Sequence, residues 1–171
     1  MTTGRKLRQK ESAAQREVRE AERAYQSFFQ HAVEGIFQST AEGRYLRANP
    51  ALARIYGYDS PDQLMAQLTD IQGMLYVDPG QRARFTQLMQ SQGAVQGFES
   101  RIRRRDGEVI WISENARSVK DERGRLLYYE GTVEDITRRK VTEAGRKFLA
   151  GVTAHGLLLY VVAVLLRPER F

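Results

Sequence analysis

The chain contains no cysteine, which removes disulfides, thiolate metal sites, cysteine nucleophiles and every chemistry that needs a covalent thiol adduct. Its two histidines, His31 and His155, stand far apart, so a zinc centre or a histidine-based catalytic apparatus would have to be assembled from very few ligands. No metal site is expected. Glycine-rich phosphate loops and a nucleophile elbow are missing too. The acid pairs are adjacent or at turn tips, such as Asp121-Glu122, where solvent keeps carboxylates from being tuned as general acids. No catalytic residue is named, and an enzyme is not expected.

What remains is 171 residues, 42% apolar and 28% charged, enough for one domain with helical extensions and a self-supporting core. The net charge of +6 is unevenly placed. Residues 1–26 carry seven basic against four acidic side chains and residues 137–171 carry seven against two, so residues 27–136 are left slightly acidic. A nucleic-acid reader concentrates basic surface on its folded module, so no nucleic-acid partner is expected. The start of the chain, with Arg5, Lys6, Arg8 and Lys10 followed by more charge, is not a secretory signal, and the expected location is cytoplasmic.

Leu7, Ala14, Ala21 and Phe28 fall seven apart, with Val18 and Tyr25 beside them. That spacing predicts a leading helix over 1–28 whose narrow apolar stripe suits pairing with a second helix; Val18, Ala21, Tyr25 and Phe28 are its candidate dimer contacts. The other reading is a solvated helix that frays in isolation. From Glu34 the period becomes two, predicting short strands at Gly35–Ser39 and Tyr45–Ala48. Asn49-Pro50, Ser60-Pro61 and Asp78-Pro79 each place an N-cap side chain before a proline at the first helical position, and Gln63 completes a capping box with Ser60. Three short helices follow, with stripes Leu52, Ile55, Tyr56, then Leu64, Met65, Leu68, then Phe85, Leu88, Met89, interrupted by Gly57, Gly73 and Gly93. A three-strand meander closes the domain, with Asp106-Gly107 as a two-residue hairpin signal. Two strands, three helices and a meander make an α+β domain with helices over one sheet face.

Period two sorts the meander into faces. Phe98, Ser100, Ile102, Ile110, Ile112, Glu114 and Ala116 share the side under the helices, and in the last strand Tyr129, Gly131 and Val133 share a side. Glu114 demands explanation: among apolar neighbours its carboxyl has to be paired, hydrogen-bonded, protonated or bound to a polar or cationic ligand, unless water rims that end of the sheet. The opposite face carries Trp111, an anchor for a partner subunit or a covering helix. Arg101, Arg103, Arg104 and Arg105 read as a solvated edge beside acidic turn tips rather than a phosphate grip.

Over about residues 29–140 the chain resembles a PAS domain with its C-terminal PAC half. The resemblance is carried by His31-Ala32-Val33-Glu34-Gly35-Ile36-Phe37, Gly43-Arg44-Tyr45-Leu46-Arg47-Ala48-Asn49-Pro50-Ala51, Gly57-Tyr58 with Ser60 and Leu64, Arg105-Asp106-Gly107, Trp111-Ile112 and Gly131-Thr132-Val133-Glu134-Asp135-Ile136-Thr137. It implies a five-stranded antiparallel sheet in the order 2-1-5-4-3 with helices over one face, flanked by N- and C-terminal helices. It also implies a cavity between sheet and helices and a sensing or dimerising role passed to an effector along those helices. The division follows: 1–28 leading helix, 29–137 sensory domain, 138–171 exit helix with an apolar C-terminal segment. The ligand-facing set is Phe85, Met89, Phe98, Ser100, Ile102, Ile112, Glu114, Ala116, Tyr129 and Val133. Asp135 and Thr137 are the relay residues, able to cap the first turn of the exit helix.

The resemblance leaves the cofactor unknown. The cysteinyl–flavin adduct of the light-sensing branch cannot form, and residues 78–92 lack the histidine that haem-binding members use. Non-covalent flavin, a carboxylic acid, another small metabolite and an empty core stay open. Residues 148–166 carry no formal charge and are long enough to cross a bilayer, with basic residues concentrated on the sensor side. The stretch Lys147–Thr153 resembles the start of a histidine-kinase dimerisation helix, although His155 comes one residue late and the usual residues after it are missing. Two function classes follow: a non-catalytic, homodimeric sensor that relays ligand or partner binding to an effector, and a membrane-tethered or ligand-free interaction adaptor. A third reading is the input region of a larger kinase or cyclase-type regulator.

Overall fold

In the computed structural model, residues 3–147 are described, with side chains from Ala14 onward. The first helix, α1 (Thr3–His31), ends three residues past the expected boundary. It leads into β1 (Gly35–Ser39) and β2 (Tyr45–Ala48), then α2 (Pro50–Tyr56), α3 (Pro61–Gln67), α4 (Ile71–Met74) and α5 (Gln81–Gln92). The long strands β3 (Ala94–Arg103), β4 (Val109–Lys120) and β5 (Leu126–Asp135) follow, and a last helix, α6, occupies residues 137–147. The five strands form one antiparallel sheet in the order β2-β1-β5-β4-β3, with the short helices over one face.

Asn49 shows how sequence becomes architecture. Its side-chain oxygen accepts from Leu52 N at 2.9 Å, capping α2, and from Ile36 N at 2.9 Å, while its amide donates to the Glu34 carbonyl. One buried side chain thus joins the loop before β1, β1 itself and α2. Close approach does the rest: a Cβ on Gly35 would sit 2.7 Å from Leu52 Cδ1, so only glycine lets α2 lie this near β1. At Gly131 a Cβ would meet the Asn115 carbonyl oxygen at 2.1 Å, which ties the glycine of the last strand to the β4–β5 pairing.

The core lies between sheet and helices. Leu52, Tyr56, Leu64, Phe85 and Met89 from the helices pack on Phe37, Ile102, Ile112, Tyr129 and Val133 from the sheet. Each such side chain contributes about 2 kcal/mol of burial. Phe85 sits edge-on to both Phe98 and Tyr129, at ring-centre distances of 5.6 and 6.1 Å.

Three local expectations are corrected. Asp78 does not cap the third proline-started helix: α5 begins at Gln81 after Gly80, which offers no side-chain cap, and the Asp78 carboxylate is held instead by Arg101. Gly73 does not interrupt a helix but lies inside α4, a fourth short helix capped by Asp70. The Asp106-Gly107 turn is longer than two residues, because Arg104 and Glu108 close a loop in which Gly107 takes φ +91°. In the capping box, Ser60 accepts from Gln63 N as expected, while Gln63 returns its bond to Asp59 N.

Candidate functional site

All ten residues expected to face a ligand are buried, and all line the interior between sheet and helices. Most are apolar and packed. The exceptions are Glu114 and Ser100, which share the inner side of β3 and β4: Glu114 pairs with Phe98 and Ser100 with Ile112 in the same register. Glu114 is 3% exposed and accepts one side-chain hydrogen bond, from Tyr76 Oη at 2.8 Å. Burial pushes its carboxyl up to about 7, with the Tyr76 bond and the positive charge of Arg82 pulling the other way. Ser100 Oγ is fully buried without a partner.

Four further residues join this interior. Tyr76 is positioned by an isolated bridge to Ile102, and flanking backbone bonds from Val77 N to Arg101 O and Arg103 N to Leu75 O stitch its segment to β3. Tyr45 and Tyr56 meet hydroxyl to hydroxyl at 3.2 Å. Burial raises the pKa of all three phenols, and the nearby Glu114 charge raises them further. Arg82, on the first turn of α5, is 6% exposed, lies over the Phe85 ring at 5.1 Å and makes one long side-chain bond, 3.4 Å to the Ala41 carbonyl. Its charge reaches Glu114, Tyr45 and Tyr76 without a direct ion pair. Near Tyr45, its cross-strand partner Ser39 leaves a second buried hydroxyl unpartnered.

Sequence reasoning missed these four for separable reasons. Tyr76 lies in a connection with no periodicity. Tyr45 and Tyr56 fall in a predicted strand and a predicted helix stripe, but their hydroxyl contact joins two elements. Arg82 stands three before Phe85 and seven before Met89, so the helical period does place it on the buried face; its charge argues against reading it that way.

The outer face of the sheet is organised differently. The last turns of α1 lean on it: Tyr25 stacks on the buried Phe29, and the Arg47 guanidinium from β2 covers both rings. A groove of about 460 Å³ runs from Tyr25 and Phe29 across Ile36, Gln38, Asn115 and Thr132. On the solvent side of α1, Val18 and Phe28 are 58% and 67% exposed, and Ala21 and part of Tyr25 are also exposed, so the four helix residues of the expected dimer contact leave an open stripe. Trp111, the fifth, lies apart from them beneath α6, with Lys140 Nζ 5.3 Å from its ring centre. Three arginines of the basic run at the end of β3 and in the turn after it are ion-paired, Arg101 with Asp78, Arg104 with Glu108 and Arg105 with Asp59, while Arg103 reaches the Gly107 carbonyl.

The exit from the sheet is held by several contacts. Asp135 accepts from Thr137 N at 2.9 Å. The Thr137 hydroxyl turns to β4 rather than to the first turn of α6, accepting from Trp111 N at 3.0 Å, and Ile136 N donates to Trp111 O. Glu99 of β3 then takes both Arg139, at 2.7 Å, and Lys140. The lysine's hydrogen bond and the two positive charges hold the Glu99 carboxyl below its ordinary range. His31 is exposed at the end of α1, its ring nitrogen 2.8 Å from the Ser27 carbonyl. No group of residues suited to hold a metal ion occurs among the described residues. None of the described helices is long and apolar enough to cross a membrane, while residues 148–166 and His155 lie outside the described residues.

A family model described as PAS domain matches residues 33–138. A second model, the F subunit of K+-transporting ATPase, matches residues 149–171. Among curated proteins, the sensor histidine kinase TmoS of Ectopseudomonas mendocina is 28% identical over 124 residues, covering 70% of this chain but only 12% of that protein's length. Among solved structures, a domain of a sensory box sensor histidine kinase/response regulator from Geobacter sulfurreducens superposes with a TM-score of 0.53 at 29% identity, covering 67% of this chain and 94% of that one. A PAS domain from Colwellia psychrerythraea gives a TM-score of 0.59 at 24% identity, covering 69% and 98%.

Proposed function

The chain belongs to the PAS domain family of sensory signalling modules, and from that premise we propose that it acts without catalysis, as a homodimer that reads a small ligand in its interior and passes the bound state to an effector through α1 and α6. The observation that carries this reading is the double attachment of β3 and β4. Their inner sides hold Ser100 and Glu114, and their outer sides hold Glu99 and Trp111, which seat α6. A ligand that displaces the inner side chains moves the same two strands on which the exit helix rests. The open stripe on α1 supplies the dimer contact, and the fold similarity to sensor-kinase domains supports a two-component effector and a cytoplasmic position for the module. Because the chain has no cysteine, a single Val18→Cys or Ala21→Cys change introduces a unique thiol. Efficient cross-linking between copies at these positions is expected; a chain that stays monomeric and uncross-linked at micromolar concentration overturns the dimer relay.

A second reading rests on residues 148–166, uncharged in sequence and overlapped by the match to a subunit of an ion-transporting ATPase. In it, the module is tethered to a membrane and works as an interaction adaptor. Membrane pelleting that resists carbonate and disappears when 148–166 are deleted supports this arrangement; a chain that stays in the supernatant excludes it.

A further inference from the structure

The interior holds two buried charges of opposite sign that do not meet. At one pole Glu114 has a single side-chain donor, Tyr76, although an ionised carboxylate can accept about four hydrogen bonds. Beside it, Ser100 Oγ has no partner. At the other pole Arg82, with five N–H donors, makes one bond of 3.4 Å. Ser39 Oγ, across the β1–β2 ladder from Tyr45, has no partner either. Tyr45, the strand partner of Ser39, lies where both the Glu114 and the Arg82 charge act on its phenol. Buried polar groups are ordinarily satisfied, and an incompletely bonded acid and base in one interior are an energetic debt unless something completes them. A direct ion pair would be the simplest completion, and the fold does not make it.

We propose that the interior takes a small zwitterion of the α-amino acid class, with its ammonium group on Glu114 and Ser100 and its carboxylate on Arg82. This rests on the ligand-sensing reading above and names the ligand's chemistry. A plain cation would satisfy Glu114 and leave Arg82 repelling it; a plain anion would do the reverse. A molecule carrying both groups leaves neither pole unpaired and adds no net charge to the interior. The phenol rings of Tyr45, Tyr56 and Tyr76 favour an ammonium on their faces. Met89, unbranched and part of the same core, is the side chain best able to give way.

The linkage has a direction. Holding an ammonium requires the ionised carboxylate, and Glu114 without ligand is half protonated near neutrality. Tyr76, Tyr45 and Tyr56 face it with phenols that stay neutral there, and the Arg82 guanidinium is the other charge that acts on it. Affinity therefore rises about tenfold from pH 6 to pH 8, with a proton released on binding.

The test uses the full chain. Thermal shift and calorimetry are run with each standard L-amino acid, and with isobutylamine and 3-methylbutanoate, which are valine without its carboxylate and without its ammonium. Native mass spectrometry of the freshly purified chain identifies anything it carries. At least one amino acid is expected to bind, tighter than either single-charge analogue, with Glu114→Gln and Arg82→Met each weakening it tenfold or more. Both variants are melted without ligand to confirm folding, and Glu114→Gln is also expected to abolish the pH dependence. Equal binding of an analogue, or release of a non-zwitterionic metabolite, overturns the amino acid proposal and leaves ligand sensing standing. No binding of any probe and no released molecule overturns both.

Discussion

Glu99 and Glu114 sit on facing strands, one pair apart in register and on opposite sides of the sheet, and their surroundings drive the same side chain in opposite directions. Outside, Glu99 stands between Arg139 and Lys140 with water at hand, and its carboxyl is held low. Inside, Glu114 has one phenol and a remote guanidinium, and burial holds it high. Solvent access, rather than residue type, thus decides which of the two is a fixed charge and which can gain or lose its proton near neutral pH.

The comparison breaks most drastically if the inner side is opened. Ile112 is fully buried two residues before Glu114, and Ile112→Ala is expected to cost about 4 kcal/mol in urea unfolding. If water enters the space, the pH dependence described next should shrink in that variant.

Next in size is Glu114 itself. Its folded pKa of about 7 lies above the 4.5 of the exposed group, so the folded chain holds a proton that the unfolded chain has lost between those values. Its contribution is greatest below pH 4.5 and is lost as pH rises through 7, a swing of about 3 kcal/mol. Glu114→Gln should flatten that part of the stability–pH curve; an unchanged slope would mean that the carboxyl is hydrated.

A smaller effect is expected outside. Glu99→Gln should leave global unfolding little changed, because both of its pairs are partly solvated, while hydrogen exchange in residues 137–147 accelerates several-fold. Protection that stays constant would show that Trp111 and Thr137 seat α6 by themselves. Smallest of all, Arg105→Ala removes a pair whose Asp59 partner is largely in water, and the urea midpoint should not move.

Much of this arrangement was legible beforehand, because period two fixes which side of a strand each residue faces. Glu114, Ser100 and the apolar set could be placed inside from spacing alone, and the strand order followed from the family resemblance. The misses differ in cause. Asp78 looked like a cap because Asp-Pro usually is one, but Arg101, 23 positions away, claimed its carboxylate. Tyr76 and the Tyr45–Tyr56 contact depend on elements far apart in sequence meeting in the interior, about which local pattern carries no information, whereas Arg82 falls on the buried side of the α5 period and only its charge argues against that placement.

Asn49 has one more property, set by its neighbour. Asparagine ages by attack of the following residue's backbone nitrogen on the side-chain amide, giving a cyclic imide and then a carboxylate. Here the following residue is Pro50, whose nitrogen has no hydrogen to lose. The amide that caps α2 and anchors β1 is therefore shielded from the chemical lesion that would undo it. The proline that starts the helix also lengthens the working life of the joint behind it.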